Sequence, residues 1–512
     1  MKKIYKYSNI ILIAFFIVLI MLRMFYKLDA IGWQDADEAK HASNAYETYV
    51  SGNWTVHLFR WEVDYVNSKP PLYFWLTNIM FALFGISTLT AKLPSAIAAI
   101  ILCAVLAVFL YKQIEKRTGN QNYTLTAVLI YLATFLAMDI LFDYHMFRNA
   151  NFDSVYALFM LVGTICMVKA QKDNRFLIPF GAMAGLAFLA KGFNTTAIVF
   201  SAICCIPFLA KEKRIRYILY SVLTATLVVL PWAVKRFMFD GTEFFYHMFF
   251  SEAEDKIVGG TLDFFRIMPQ SISFRLFFGV LILYVLVLII KYKSVKEFGK
   301  AVFSDIKEYK ILWIWFWVPI LFYSWAGFCN EWYIYPSYIL AAVLSGIYAG
   351  IVIETIGESK MFLKLIASAV LCAVLAISAF DGINRLGSYW LAGNGGGVEF
   401  PFWHDVEAIR EKYGDEYRGS DVYIEDISHY ADLEEIDIAD APITQELFFD
   451  QIAYCEIEYD WRAKTGGIDA WEQAEDGILV VNKDIFDRYL DRLAGHVIIQ
   501  DDGYIYLIHD MY

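Results

Sequence analysis

The chain has 512 residues, of which 58% are hydrophobic, 18% aromatic and only 19% charged. This composition excludes a protein that is soluble throughout, and the length excludes a simple membrane anchor. The net charge of −12 is unevenly distributed, because residues 391–512 carry 29 acidic and 8 basic side chains and the rest is net positive. The sequence therefore predicts a polytopic membrane protein with an acidic C-terminal part.

The first apolar segment, 9–27, is longer than a signal-peptide core and no small-residue cleavage pattern follows it, so we expect a retained helix. Ten further apolar segments approach the roughly 20 residues that a bilayer crossing requires. We therefore expect a polytopic α-helical membrane protein with about eleven transmembrane helices. The ten segments are 92–111, 123–142, 152–168, 176–190, 193–210, 216–234, 272–290, 311–326, 332–353 and 361–380.

Basic residues concentrate in alternate loops between these segments. Cytoplasmic loops of membrane proteins are enriched in Lys and Arg, so this side is predicted to be cytoplasmic. The N-terminus then lies inside and the C-terminal part outside a plasma membrane. The basic loops contain Lys2, Lys3 and Lys6; Lys112, Lys116 and Arg117; Lys169, Lys172 and Arg175; 211–216; 291–300; and Lys360 with Lys364.

One apolar run, "PPLYFWLTNIMFALFG" at 70–85, is too short for a full crossing and is bounded by Pro70, Pro71 and Gly85. If it crossed, every later basic loop would lie outside. We predict instead an interfacial or re-entrant helix. The membrane part, 1–390, then has a first external loop, 29–91, with interfacial helices, and a second long external loop, 235–271.

The acidic part, 391–512, begins with a Gly-rich linker, "GNGGG" at 393–397. Four short runs of strand-forming residues alternate with amphipathic stretches, which is typical of a small α/β domain. We therefore predict an extracytoplasmic α/β domain here. The four predicted strands are 421–425, 477–481, 496–500 and 504–508.

Three carboxylates, Asp35, Asp37 and Glu38, follow the first apolar segment closely in "DADEAKHASNAYETYVSGNW". Apolar residues at helical spacing after Asp37 predict a short amphipathic helix on the membrane, ending near Gly52. A helix cap would explain one carboxylate but not three. The same loop provides Lys69, and a carboxylate with an ammonium at headgroup depth suits chemistry on a lipid phosphate. Lys69 as a snorkelling residue is the open alternative.

Further charges gather at the outer ends of other predicted helices. Asp143, His145, Arg148 and Asp153 occur where the third segment passes to the fourth, and Lys191 ends the fifth segment on the same side. Ionisable groups at such positions are costly unless they are paired. Their convergence predicts a polar cavity at the external face.

Several motifs carry a family resemblance over roughly residues 9–380. They are Asp37-Glu38, "SGNW" 51–54, "KPPLYFWL" 69–76, "LFG" 83–85, "AKLPSA" 91–96, Asp153, "GLAFLAKG" 185–192, "LPWAV" 230–234 and "YIYP" 333–336. In this order they resemble the polyprenyl-phosphate-sugar-dependent glycosyltransferases of the GT-C superfamily, specifically the protein O-mannosyltransferase and lipid A aminoarabinose transferase relatives.

The resemblance implies a catalytic role for Asp37 as the general base in an inverting sugar transfer. It also implies a place for Lys69 near the donor phosphate, for Asp153 beside the same cavity and for Lys191 at its wall. The expected donor is a polyprenyl-phosphate sugar, and the acceptor is a protein, a glycolipid or a polysaccharide. The full set of expected substrate-binding residues is Glu38, Lys69, Asp153, Lys191, Arg148, His57 and Tyr333.

Alternative interpretations remain open at this point. A divalent metal could be bound by Asp37, His57 and Asp153, or by Glu38 and His41, although the second motif that such carboxylate sites use is absent from the sequence. A lipid-linked sugar transporter or flippase is the rival class; it would need broken helices at matching positions in two halves. A catalytically inactive scaffold is the third. Nothing in the sequence indicates a nucleic-acid partner.

Overall fold

The computed structural model describes residues 2–30, 32–33, 36–65, 67–251, 268–292, 294–326, 331–357, 361–391, 401–425, 445–464 and 466–509. Asp35, residues 252–267 of the predicted loop 235–271 and the Gly-rich linker at 393–397 fall outside this part of the chain.

Among the described residues up to 391, the secondary structure is helical apart from one hairpin. The hairpin pairs β1 (Leu58–Phe59) with β2 (Glu62–Val63) in the first loop. The helices are α1 (Lys2–Phe25), α2 (Ala36–Ser51), α3 (Leu72–Phe84), α4 (Thr88–Thr118), α5 (Gln121–Leu136), α6 (Asp139–Asp143), α7 (Asp153–Ala170), α8 (Leu177–Lys191), α9 (Thr196–Cys205), α10 (Arg214–Asp240), α11 (Glu243–Tyr246), α12 (Ile272–Lys291), α13 (Val295–Glu308), α14 (Lys310–Ala326), α15 (Tyr335–Ile356) and α16 (Met361–Leu391).

Within the described residues, eight helical stretches are long and apolar enough to cross a membrane, which defines a multi-pass membrane protein. Each of the eleven predicted segments coincides with a helix, but the count of eleven crossings is not confirmed. Helix α5 has 16 residues and α14 has 17. Helices α8 and α9 follow each other within one stretch, Asn174–Phe208. The apolar pattern therefore located the helices, and the number of full spans stays a prediction.

Helix α3 is 13 residues long, or about 20 Å, which is short of the roughly 30 Å hydrocarbon layer. It ends at Gly85, whose φ of 85° is a conformation that favours glycine. Near this end Leu83 and Phe84 are 66% and 67% exposed. These features support the prediction that 70–85 does not span the bilayer.

Helix α2 begins and ends where the sequence predicts, with Asp37 in its first turn and Gly52 just after it. Its environment differs from the expected one, because all residues from Glu38 to Thr48 are buried. The face predicted to be exposed contacts the C-terminal part of the chain. There Tyr46 donates a hydrogen bond of 2.7 Å to Asp460.

The C-terminal part contains α17 (Pro401–Tyr413), α18 (Gln445–Tyr459), α19 (Gly467–Gln473), α20 (Lys483–Arg488) and α21 (Leu490–Leu493) around a five-stranded sheet. The strands are β3 (Asp421–Ile424), β4 (Arg462–Lys464), β5 (Ile478–Val481), β6 (Val497–Gln500) and β7 (Ile505–Ile508), in the order β4-β3-β5-β7-β6. Strand β3 is parallel to β4 and β5, whereas β7 is antiparallel to β5 and β6.

All four predicted strands are present, and β4 was not predicted because "RAK" has no apolar alternation. Buried apolar residues from α1 to β7 belong to one continuous cluster, so the sheet and the membrane helices share a core. That this sheet forms a separate domain outside the membrane stays a prediction.

Candidate active site in the first loop

Glu38 is fully buried and its carboxylate has three partners. It accepts hydrogen bonds from Asn149 Nδ2 at 3.0 Å and from the backbone N–H of Ala150 at 2.7 Å. Lys92 Nζ lies 3.5 Å from Oε1, the oxygen that also accepts from Ala150, as a counter-ion. These contacts tie the first turn of α2 to α4 and to the segment before α7. They favour a positioning role, and its predicted contact with substrate stays a prediction.

Asp37, the preceding residue, is exposed. Successive residues of a helix point about 100° apart, so a buried Glu38 fixes Asp37 on a different face of α2. His41 is one turn further along and shares the face of Asp37, since residues i and i+4 are neighbours on a helix surface. The His41 ring lies 4.6 Å from the Phe152 ring, measured between centroids.

Phe152 is the point at which the predicted cations meet. The Lys69 ammonium is 5.9 Å from the centroid of this ring, and the Lys191 ammonium is 5.4 Å from it. Cations within about 6 Å of an aromatic ring are attracted by its quadrupole. The first loop and α8 thus bring their charges together around one aromatic side chain at the start of α7, while an external cavity at this place stays a prediction.

Asp153 and Lys191 form a buried ion pair between the start of α7 and the end of α8. His145 Nε2 lies 3.6 Å from the other Asp153 oxygen. The His145 ring stacks on Trp332, with the centroids 4.0 Å apart. This cluster continues to Tyr333, whose ring centroid is 5.0 Å from the Lys191 ammonium.

His57 lies behind Lys69 and is fully buried. Its Nε2 is 2.9 Å from the backbone carbonyl of Lys69, so this nitrogen carries the proton and donates it. Burial, followed by the nearby positive charge of Arg236, lowers the pKa of His57 to about 3. The ring is therefore neutral at physiological pH and orients the backbone of Lys69.

The residues of the alternative metal site are not assembled. Among the described residues, no three His, Cys, Asp or Glu side chains are close enough to share a metal ion. Asp153 is engaged by Lys191, and the Nε2 of His57 is engaged by a carbonyl. The described residues therefore do not bring Asp37, His57 and Asp153 together as a metal site.

Arg148 lies apart from the Phe152 cluster. Its guanidinium donates hydrogen bonds to four backbone carbonyls at the end of α1, those of Arg23, Met24, Tyr26 and Lys27, over 2.6–3.1 Å. Carbonyls at a helix C-terminus lack partners within the helix, and a cation there is favourable. These contacts favour a structural role, and the expected substrate contact of Arg148 stays a prediction.

Sequence reasoning missed three residues that build the site. Phe152 gave no signal because it is an apolar residue inside an apolar segment. Lys92, the counter-ion of Glu38, occurs in the quoted "AKLPSA" motif and could have been found there. Arg236 is fully buried in the last turn of α10, 2.5 Å from Asp240, and its i,i+4 spacing to this acid was the available signal.

The comparisons with known proteins bear on this arrangement. A family model described as dolichyl-phosphate-mannose-protein mannosyltransferase matches residues 68–234. The undecaprenyl phosphate-alpha-4-amino-4-deoxy-L-arabinose arabinosyl transferase 2 of Proteus mirabilis is 32% identical over 235 residues, which cover 44% of this chain and 39% of that protein. The corresponding transferase of Yersinia enterocolitica is 26% identical over 260 residues, or 48% of this chain and 43% of that protein.

The crystal structure of ArnT from Cupriavidus metallidurans bound to undecaprenyl phosphate superposes with a TM-score of 0.64 at 14% identity, covering 97% of this chain and 98% of that one. The chain therefore has the ArnT fold over nearly its whole length. Its sequence similarity spans less than half of the curated relatives it matches. The predicted resemblance to the GT-C glycosyltransferases, and to the ArnT and protein mannosyltransferase families among them, is confirmed.

Proposed function

We propose that the chain transfers a sugar from a polyprenyl-phosphate donor to an acceptor hydroxyl at the external face of the membrane, with inversion at the anomeric carbon. The observation that carries the proposal is the position of Asp37. Asp37 is exposed and shares a face of α2 with His41. The His41 ring contacts Phe152, and the ammonium groups of Lys69 and Lys191 lie beside the same ring. The names of the similar transferases support a lipid-phosphate donor.

Asp37 acts as the general base in this proposal. Its carboxylate accepts the proton of the acceptor hydroxyl, whose oxygen forms a bond to the anomeric carbon. The bond from that carbon to the phosphate oxygen breaks at the opposite face, and the electron pair leaves with the lipid phosphate. A positioned base of this kind typically contributes about 10²–10⁴-fold to the rate.

Lys69 holds the departing phosphate in this proposal. Two prolines follow it, and His57 fixes its backbone carbonyl, so its main chain is restrained before the substrate binds. Charge that develops on the leaving phosphate is stabilised by a cation already in place. Lys191 is paired with Asp153 and forms part of the wall of the site in this proposal.

The transferred group is a hexose or a pentose, and the acceptor is a protein, a glycolipid or a polysaccharide. The proposal also includes a cytoplasmic N-terminus and an extracytoplasmic C-terminal part. Only the donor headgroup has to reach the external site, while the isoprenoid chain stays in the bilayer.

The test uses the full chain in lipid nanodiscs with a panel of polyprenyl-phosphate sugars and membrane-extract acceptors. Asp37→Asn should reduce transfer at least 100-fold while the protein still elutes as a folded species. Asp29→Asn is the matched control, because Asp29 is an exposed aspartate of the same loop. Transfer by Asp37→Asn at the rate of this control would reject Asp37 as the base.

A further inference from the structure

A cavity lies well away from Asp37, between the first-loop helices and the C-terminal part. It has a volume of about 470 Å³ and is lined by residues of α2, α3, α17 and α18 and of the turns beside them. Tyr49 at the end of α2 is one of its walls. Twelve residues of helix separate Tyr49 from Asp37, which is about 18 Å at 1.5 Å per residue.

The acids of this cavity are held in place by contacts with the cavity wall and with residues outside it. Asp460 accepts a hydrogen bond of 2.7 Å from Tyr46 and is paired with Arg418 at 3.2 Å. Glu458 accepts a hydrogen bond from the hydroxyl of Thr88 at the start of α4. Both sides of the boundary between the membrane helices and the C-terminal part therefore order the same pocket.

Aromatic rings line the cavity beside these groups. Tyr49 and Phe81 contact each other edge to face, with the centroids 5.9 Å apart. Tyr459 is oriented by a hydrogen bond of 2.7 Å from its hydroxyl to the carbonyl of Gly414. An aromatic wall with a few fixed polar groups is typical of small-molecule sites, which measure about 300–1,000 Å³.

The charges around the cavity decide what kind of ligand fits. Two arginines, Arg410 and Arg418, face three acids, Asp415, Glu458 and Asp460. A phosphate or other anion would meet a surplus of carboxylates. A compound rich in hydroxyl groups can donate to the acids and accept from the arginines, since each hydroxyl does both.

We propose that this cavity binds an uncharged saccharide unit, separately from the site of transfer. The ligand class follows from the mixture of donors and acceptors, the aromatic wall and the absence of a net positive charge among the lining residues. Its assignment to the acceptor rests on the proposed function: an extended glycan acceptor would bind here with one unit while presenting a hydroxyl about 18 Å away at Asp37.

The experiment measures binding to the full chain in nanodiscs by saturation-transfer NMR, with maltotriose, mannotriose and chitotriose as neutral probes and glycerol 3-phosphate as the anionic probe. Asp415 has an 88% exposed side chain, so Asp415→Trp is expected to fold and to obstruct the cavity mouth. It should weaken binding of the preferred trisaccharide at least tenfold. Asp487→Trp, at an exposed aspartate of α20, is the matched control and should bind as the unsubstituted protein does.

Arg418→Met is the second variant and should weaken binding in the same direction, because it removes a donor from the cavity wall. The proposal is overturned if no trisaccharide binds, if glycerol 3-phosphate binds better than all of them, or if both cavity variants bind like the control. The proposed function fails separately: trisaccharide binding without transfer from any polyprenyl-phosphate sugar rejects the transferase and leaves the cavity assignment intact.

Discussion

Asp37 and Glu38 are consecutive acids in opposite environments, and this difference is the basis for proposing Asp37 as the general base and Glu38 as a positioning residue. Glu38 is buried among Lys92, Asn149 and Ala150, so both oxygens of its carboxylate already have partners. Asp37 is exposed. The sequence alone assigned both to the site, because burial of one member of an acidic pair depends on how the helix is rotated in the fold.

Removal of the Glu38 charge is expected to destabilise the protein. In Glu38→Gln the buried Lys92 ammonium would keep a hydrogen bond of 3.0 Å to the Gly32 carbonyl but would lose its counter-ion. Breaking one side of a buried ion pair typically costs about 3–5 kcal/mol. We expect a clearly lower Tm for the purified protein in detergent.

The control for this prediction is the double variant Glu38→Gln/Lys92→Met. Replacement of a whole buried ion pair by neutral groups is often close to neutral, so most of the lost stability should return. If Glu38→Gln has the same Tm as the unsubstituted protein, the ion pair between Glu38 and Lys92 does not contribute to stability.

The other site residues show which parts of the site can be predicted from charged residues in the sequence. Asp153 and Lys191 were predicted because ionisable groups at helix ends are rare, and Lys69 because it shares the first loop with the carboxylates. The structure brings the three together around Phe152. Arg148 gave the same signal but caps α1. A charge at a helix end therefore predicts a partner, while the identity of that partner depends on packing that the sequence does not reveal.

At the scale of elements, α2 connects the candidate site to the C-terminal part. Its length and limits followed from the helical spacing of apolar residues, but its burial did not, because α18 covers the predicted polar face. Two acids meet in that interface: Glu47 of α2 and Glu456 of α18 are both buried. Glu47 accepts hydrogen bonds from the backbone N–H groups of Arg60 and Trp61.

This acid pair predicts a stability that depends on pH. Burial raises the pKa of Glu47 from 4.5 to about 7, and burial together with repulsion from Glu47 raises the pKa of Glu456. Between pH 4.5 and about 7 the folded chain therefore binds more protons than the unfolded chain, so the contribution of the pair falls as pH rises. The interface between α2 and α18 should be most stable below this interval.

Glu456→Gln tests this prediction, since the amide is neutral at every pH. The variant should melt close to the unsubstituted protein at pH 5 and at a higher temperature at pH 8. Glu475→Gln, at an exposed acid of the C-terminal part, is the control. It should leave the difference in Tm between pH 5 and pH 8 as it is in the unsubstituted protein. A Glu456→Gln variant that loses stability equally at both pH values would contradict the shared burial of the two acids.

At the scale of the whole molecule, hydropathy located every membrane helix but not the number of crossings. Helices α5 and α14 have 16 and 17 residues, and apolar composition alone does not distinguish a short crossing from a helix buried among other helices. The strands of the C-terminal part were found from β-branched runs, whereas the shared core between sheet and membrane helices required the structure.

The orientation in the membrane is the prediction on which the proposed function depends most. Basic loops on one side and a strongly acidic C-terminal part favour a cytoplasmic N-terminus and an external sheet.

Cysteine substitution at two exposed positions tests this orientation, Asp487→Cys in α20 and Lys296→Cys in α13. A membrane-impermeant maleimide added to spheroplasts should label Asp487→Cys, and should label Lys296→Cys only after permeabilisation. The unsubstituted protein gives the background from native cysteines. The reverse labelling pattern would put Asp37 in the cytoplasm, on the same side as the basic loops, and a transfer reaction at the external face would then be excluded.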